Sequence, residues 1–166
     1  MKTNIVCRII AKFNRIISNI NASFFYFLKN NFLETWGATY YCKGDRRKLR
    51  LGKYVSPVNT LFNVSSGCIT VGDNTIFGHN VMVLTGKHEF LNGKRKSLTT
   101  KGFEVPLEGY DINIGSGCWI ASGVIITGKV NIGDNVIIGA GSVVTKDIPS
   151  GVFAAGVPAK ILRTNI

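Results

Sequence analysis

The chain of 166 residues holds two histidines, His79 and His88. An imidazole changes charge near neutral pH, so it is the side chain best suited to take and return a proton there. His79 lies in Gly78-His79-Asn80, a tripeptide whose siblings Gly72-Asp73-Asn74 and Gly133-Asp134-Asn135 carry Asp in the middle. A place that His shares with Asp, and in other copies with Ser116 and Ala140, reads as a structural corner. His88 is different. It ends the segment Val83–His88, the last regular one before a stretch rich in Gly, Lys and Thr. A side chain at such a root is held by a rigid element yet open to a cleft, which suits a general base; an ordinary loop histidine is the alternative. Lys94-Arg95-Lys96 and Lys101 add positive charge beside whatever site lies there. The four cysteines, Cys7, Cys42, Cys68 and Cys118, show no paired spacing, so neither a disulfide framework nor a zinc site is expected.

The element that must hold His88 is a repeat. An aliphatic residue recurs every six positions at Ile114, Ile120, Ile126, Ile132, Ile138 and Val144, with a smaller or branched residue two places before each. Six is not a helical period, and sustained self-similarity marks a repeat architecture. Residues i−2 and i share one face of a strand. Gly117, Gly123, Asn135 and Gly141, three places after, suit a corner of positive φ. Each hexad is then a short strand plus a bend, three of which close a triangular coil of about eighteen residues around an aliphatic axis. Cys118 takes an inward place and reads as a small hydrophobe. The phase slips near Asn63–Cys68, stops after Val83, and resumes at Ile112, so residues 85–111 should project as a loop. The hexads end after Val144, and Pro149 cannot donate to a ladder.

These hexads, followed by Gly139-Ala140-Gly141-Ser142-Val143-Val144-Thr145-Lys146-Asp147-Ile148-Pro149 and Ala155-Gly156-Val157-Pro158-Ala159-Lys160, resemble the left-handed β-helix (hexapeptide-repeat) acyltransferases. Within that superfamily the chain is most similar to the maltose and galactoside acetyltransferases and to the sugar acetyltransferases of bacterial surface-polysaccharide synthesis. The resemblance runs from Leu51 to Arg163 and implies an all-β, left-handed parallel β-helix; the left hand comes from the resemblance alone, because parallel crossovers are otherwise right-handed. It also implies an acetyl-CoA-dependent acetyltransferase without a metal. Leu84-Thr85-Gly86-Lys87-His88 resembles the segment that carries the family's catalytic base, so His88 would deprotonate a sugar hydroxyl or amine for attack on the thioester. Trp119 matches the strand lining the CoA channel, and Ser122 and Ala140 match corners whose backbone meets the pantetheine arm. Thr145 and Lys146 match the Thr-Lys beside the CoA phosphates. Lys160 and Arg163 match two terminal basic residues; the first is often Arg in relatives, so Lys160 would act as a point charge. Asn59 and Asn63 both lie where relatives place an acceptor-contacting Asn. Family members are homotrimers with sites between subunits. A γ-type carbonic anhydrase needs three metal-binding histidines and is excluded; a non-catalytic scaffold or membrane adaptor is the competing reading.

Three segments follow from this. Residues 1–45 form an N-terminal segment with an amphipathic helical pattern (Val6, Ile10, Phe13, Ile17, Ile20, Phe24 and Leu28 against Arg8, Lys12, Arg15 and Asn19), residues 46–150 the β-helix, and residues 151–166 a basic tail. No acidic residue precedes Glu34, and Phe24, Phe25, Tyr26 and Phe27 cluster, so residues 1–30 would either cap the open end of the β-helix or lie in an anionic membrane surface. The run from Asp45 to Arg50 reads as a solvated charged face. A net charge of +11 suits anionic partners. No zinc-finger spacing or RNA-binding aromatic motif supports nucleic acid. No apolar run reaches the ~20 residues of a membrane span. The expected location is the cytoplasm, at the inner face of the membrane if residues 1–30 bind it.

Overall fold

The computed structural model describes residues 40–96 and 105–164. The helical pattern read over residues 1–30 lies outside them, as does Lys101. Within them the hexads fold as their period demands, into coils whose strands stack parallel on three faces. The first face carries β1 (Tyr40–Lys43), β4 (Thr60–Asn63), β7 (Met82–Leu84), β12 (Ile125–Thr127) and β15 (Val143–Val144), in that order. The second stacks β2 (Leu49–Leu51), β5 (Ile69–Val71), β10 (Ile112–Ile114) and β13 (Val130–Ile132), and Ile148 extends it by a bridge to Ile132. The third stacks β3 (Ser56–Val58), β6 (Ile76–His79), β11 (Trp119–Ile120), β14 (Ile137–Ile138) and β16 (Val152–Gly156), against which β17 (Ala159–Thr164) folds back antiparallel. One further pair, β8 (Phe90–Leu91) with β9 (Lys94–Arg95), is a hairpin in the protruding loop.

Alternation sends inward each aliphatic residue and the residue two places before it, as with Ile114 and Ile112. Phe62, Val83, Ile126 and Val144 meet Val71, Ile114 and Ile132, and these meet Phe77, Ile120, Ile138 and Ala154, all buried. Each such aliphatic contributes about 1.5–3 kcal/mol over leaving it in water. In the first coils the axis is filled by aromatics, with Phe62 edge-on to Tyr40 and to Phe77 at 5.7 Å each. Cys118 is buried as expected, its thiol donating to the Gly133 carbonyl at 3.1 Å, and burial pushes that thiol's pKa up. The corners have the expected backbone: φ is +66° at Gly117, +69° at Gly123, +54° at Asn135 and +67° at Gly141. Aspartates stitch one coil to the next. Asp73, Asp111, Asp134 and Asp147 accept from the backbone N–H groups of Lys53, Cys68, Ser116 and Asn131 at 2.7–2.8 Å.

Two features at the ends go beyond the hexads. The first strand starts at Tyr40 and pairs with β4, residue for residue, from Tyr40↔Thr60 to Lys43↔Asn63. At the other end the coil does not stop at Val144. It continues through buried Ile148, Val152 and Ala154, and Pro149 occupies an exposed place between strands, where no ladder N–H is called for.

The enlarged corners share one edge, that between the first and second faces. In the fourth coil, inward Ile126 and Ile132 are six residues apart (132 − 126). In the first coil Cys42 and Leu51 are nine apart (51 − 42), and in the second Phe62 and Val71 are nine apart (71 − 62). In the third coil the whole protruding loop lies between Val83 and Ile112. The phase slip at Asn63–Cys68 is therefore an enlarged corner directly beneath the root of that loop.

Candidate active site

The enlarged corner anchors both feet of the loop. Ser66 and Thr85 are fully buried. The Ser66 N–H donates to the Thr85 hydroxyl at 3.1 Å, and that hydroxyl donates to the Asn63 carbonyl at 2.8 Å. The Ser66 side chain accepts from the Lys87 N–H at 3.3 Å, and its carbonyl accepts from the Tyr110 N–H at 3.2 Å. Outgoing and returning strands of the loop thus meet on one residue. Beyond this root, Lys87 sets its ammonium 5.1 Å from the Tyr110 ring centroid, and the hairpin turns at Asn92 and Gly93, both of positive φ. The Lys96 N–H donates to the Glu89 carbonyl at 2.9 Å and closes the hairpin next to His88.

His88 is exposed on a cleft of about 460 Å³, lined by Lys43, Asn63, Ser65, Gly86, Lys87, His88, Arg95 and Val105. The imidazole has no hydrogen-bond partner among the described residues, so both nitrogens face the open space. Glu89 does not orient it: its carboxylate takes the Lys96 ammonium at 3.1 Å. A second hollow of about 380 Å³, lined by Lys87, Glu89, Phe90, Leu91, Lys96 and Tyr110, lies on the other side of Lys87.

The structure separates the two asparagines that the sequence left equivalent. Asn63 borders the cleft, its Oδ1 accepting from the Ser65 N–H at 3.0 Å and its amide facing Gly86. Asn59 lies at the opposite corner, at φ +45°, with its amide on the Asn80 side chain. His79 stands in that same corner column. Its N–H donates to Ser122 Oγ at 3.1 Å, and a Cβ on the neighbouring Gly78 would meet the Ser122 backbone nitrogen at 2.5 Å, so the corners stack without room for a side chain there.

The residues matched to CoA fall into two groups. Thr145 and Lys146 are exposed and follow β15 on the same edge as His88, two coils further on. Trp119 stands outward on the third face, 51% exposed, between Ile76 and Ile137. Ser122 and Ala140 are exposed at the corner from third to first face, and Lys160 and Arg163 are exposed on β17. One chain does not bring the second group to His88. Lys146, Lys160 and Arg163 have no carboxylate partner among the described residues, and Trp119 is about half exposed. Among the described residues no group of His, Cys, Asp and Glu could hold a metal, and no helix is long and apolar enough to cross a membrane.

Sequence reasoning passed over Lys43, Ser65 and Lys87 as cleft residues. Ser65 sits in the phase slip, which was itself the signal. In the neighbouring charge run Arg47 bridges Asp45 at 2.8 Å, this bonded guanidinium pulls the Asp45 pKa down to about 2, and the Lys48 ammonium donates to the Leu107 carbonyl at 2.6 Å.

Parallel coils, six-residue steps and a single loop with an open histidine define a hexapeptide-repeat β-helix. Residues 111–146 match the bacterial transferase hexapeptide (six repeats) family. The chain is 43% identical over 95 residues to galactoside O-acetyltransferase of Escherichia coli (strain K12), covering 57% of this chain and 43% of the relative. It is 29% identical over 119 residues to the putative colanic acid biosynthesis acetyltransferase WcaF of the same strain, covering 72% of this chain and 60% of that one. Its fold matches a hexapeptide-repeat acetyltransferase of Vibrio cholerae, solved in complex with acetyl-CoA, with a TM-score of 0.64 and 26% identity over 76% of this chain and 65% of that one. The chain spans about half the length of the curated relatives it matches.

Proposed function

We propose that this chain is an acetyl-CoA-dependent acetyltransferase acting on a sugar hydroxyl or amine, with His88 as general base. The observation that carries the reading is that His88 stands where the hexads break off, open to a cleft and without a hydrogen-bond partner among the described residues. In the reaction His88 takes the acceptor proton as the acceptor oxygen or nitrogen bonds to the thioester carbonyl carbon. A backbone N–H stabilises the resulting oxyanion. The C–S bond then breaks, and the imidazolium returns its proton to the departing thiolate. General base action of this kind is worth about 10²–10⁴-fold. No covalent enzyme intermediate is needed, so the transfer asks for no serine or cysteine nucleophile.

On this reading Trp119, Ser122, Ala140, Thr145, Lys146, Lys160 and Arg163 hold the donor and Asn63 contacts the acceptor. The division of these residues between two edges supports a homotrimer in which the first edge of one copy meets the third face of the next. The likeness to a colanic acid acetyltransferase supports an acceptor in surface-polysaccharide biosynthesis. We place the enzyme in the cytoplasm, with residues 1–30 as a peripheral contact at the inner membrane face. Liposome flotation before and after deleting residues 1–30 tests that contact, and unchanged binding refutes it.

The test of the activity is release of free thiol from acetyl-CoA with a panel of sugars and nucleotide sugars. Turnover that falls by at least about 100-fold in His88→Ala, with folding unchanged, supports the reading. A variant that keeps full turnover removes His88 from the mechanism.

A further inference from the structure

Three cations line the His88 cleft, Lys43, Lys87 and Arg95, and among the described residues no carboxylate does. None of the three pairs with an acidic side chain among the described residues; the ion pairs there are Arg47–Asp45 and Lys96–Glu89. Lys87 is partly engaged by the Tyr110 ring. Arg95 is half-buried and is carried back towards His88 by the hairpin, opposite Phe90. Like charges collected without a counter-charge repel one another, and a bound anion would relieve that repulsion. Among the described residues only Asn63 and Ser65 offer the cleft an uncharged side-chain acceptor besides His88.

We propose that the acceptor carries an anionic group, a phosphate or a carboxylate, which Arg95 and Lys43 bind while His88 faces the hydroxyl or amine to be acetylated. This rests on the reading of His88 as the base of a sugar acetyltransferase. The placement of the cations separates them from the donor. The cleft is built from the first three coils: Lys43 belongs to the first, Asn63 and Ser65 to the second, and Gly86 to His88 to the third. Lys146, assigned to the CoA phosphates, is on the fifth. Stacked strands are about 4.8 Å apart, so Lys43 and Lys146 lie on opposite sides of the His88 coil, each roughly 10 Å along the axis. The two sets of cations therefore face two different anions. A guanidinium offers paired donors to either group, and a Lys only a point charge, so Arg95 dominates.

The experiment compares acetylation of glucose, glucose 6-phosphate, glucuronic acid and UDP-glucose. The expected result is a kcat/KM at least about tenfold higher for a charged probe than for glucose, falling towards parity in Arg95→Gln and Lys43→Gln, with the change in the acceptor KM. Preference for the two phosphates over glucuronate identifies the anion as phosphate, and the reverse identifies a carboxylate. A parallel measurement needs no turnover: imidazole NMR signals, assigned to His88 with His79→Gln, should shift with the charged probe and not with glucose. A shift without acetyl transfer to any sugar keeps the anion site and refutes the proposed activity. Acetylation of glucose as efficient as that of every charged probe, or substitutions that raise the KM of acetyl-CoA instead, overturns the anionic acceptor and leaves the acetyltransferase standing.

Discussion

The backbone N–H of Ser66 donates to the hydroxyl of Thr85 at 3.1 Å, and neither residue is exposed. This bond ties the enlarged corner of the second coil to the first residue of the loop, three places before His88. Thr85→Val keeps the shape but strands the Ser66 N–H in a dry interior, at a cost of about 1–3 kcal/mol. Denaturant unfolding should show that loss, and thiol release should fall as His88 loses its fixed root. Thr85→Ser should recover most of both. A valine variant as stable and active as the parent would show that the bond does not position the loop.

The donor side is tested by charge. Lys146→Glu and Arg163→Glu should each weaken CoA binding by about tenfold or more in calorimetry, since each turns an attraction for phosphate into repulsion. Folding should be unaffected, because both side chains are exposed and lack a carboxylate partner among the described residues. Unchanged affinity would make them surface decoration.

The core is tested at Ile126, fully buried between Val83 and Val144 in the first-face stack. Ile126→Asp places a carboxylate where no partner can reach it. The cost exceeds about 4 kcal/mol, a large part of the ~5–15 kcal/mol that holds a domain together. The variant should be insoluble or lack a cooperative unfolding transition. Ile126→Val should lower stability by only about 0.5–1.5 kcal/mol.

How much of this was legible in the sequence depends on periodicity. Ile114 to Val144 shows the coils outright, because six-residue steps have a single physical solution once corners of Gly and Asn are placed. His88 could be singled out because it stands where the period stops. The nine-residue steps from Cys42 to Leu51 and from Phe62 to Val71 could not be read, since an enlarged corner has no period of its own. For that reason Lys43 and Ser65 were not seen as cleft residues and Asn59 could not be told from Asn63. The last coil was hidden for a related reason: Ile148 follows Val144 by four residues (148 − 144), so the six-residue count was lost and buried Val152 looked like the start of a tail.

The outward rows bear on assembly. On the second face they are polar: Arg50, Thr70, Asn113 and Asn131 stand in register, and the Asn113 amide donates to Asn131 at 2.9 Å. On the first face one row is apolar, with exposed Tyr41 and half-buried Leu61, Met82, Ile125 and Val143 side by side. On the third they are Ile76, Trp119, Ile137 and Phe153, and Ile76 is 48% exposed. Two apolar faces on a three-sided prism are what a closed ring of copies needs, each offering one face and receiving another. On the proposed homotrimer, Met82→Asp and Ile125→Asp should lower the mass in light scattering from three protomers to one while the thermal transition persists. Because His88 and Trp119 stand on different sides of one chain, the monomer should also lose thiol release. A wild-type protein that is monomeric at full turnover would overturn both the assembly and the shared site.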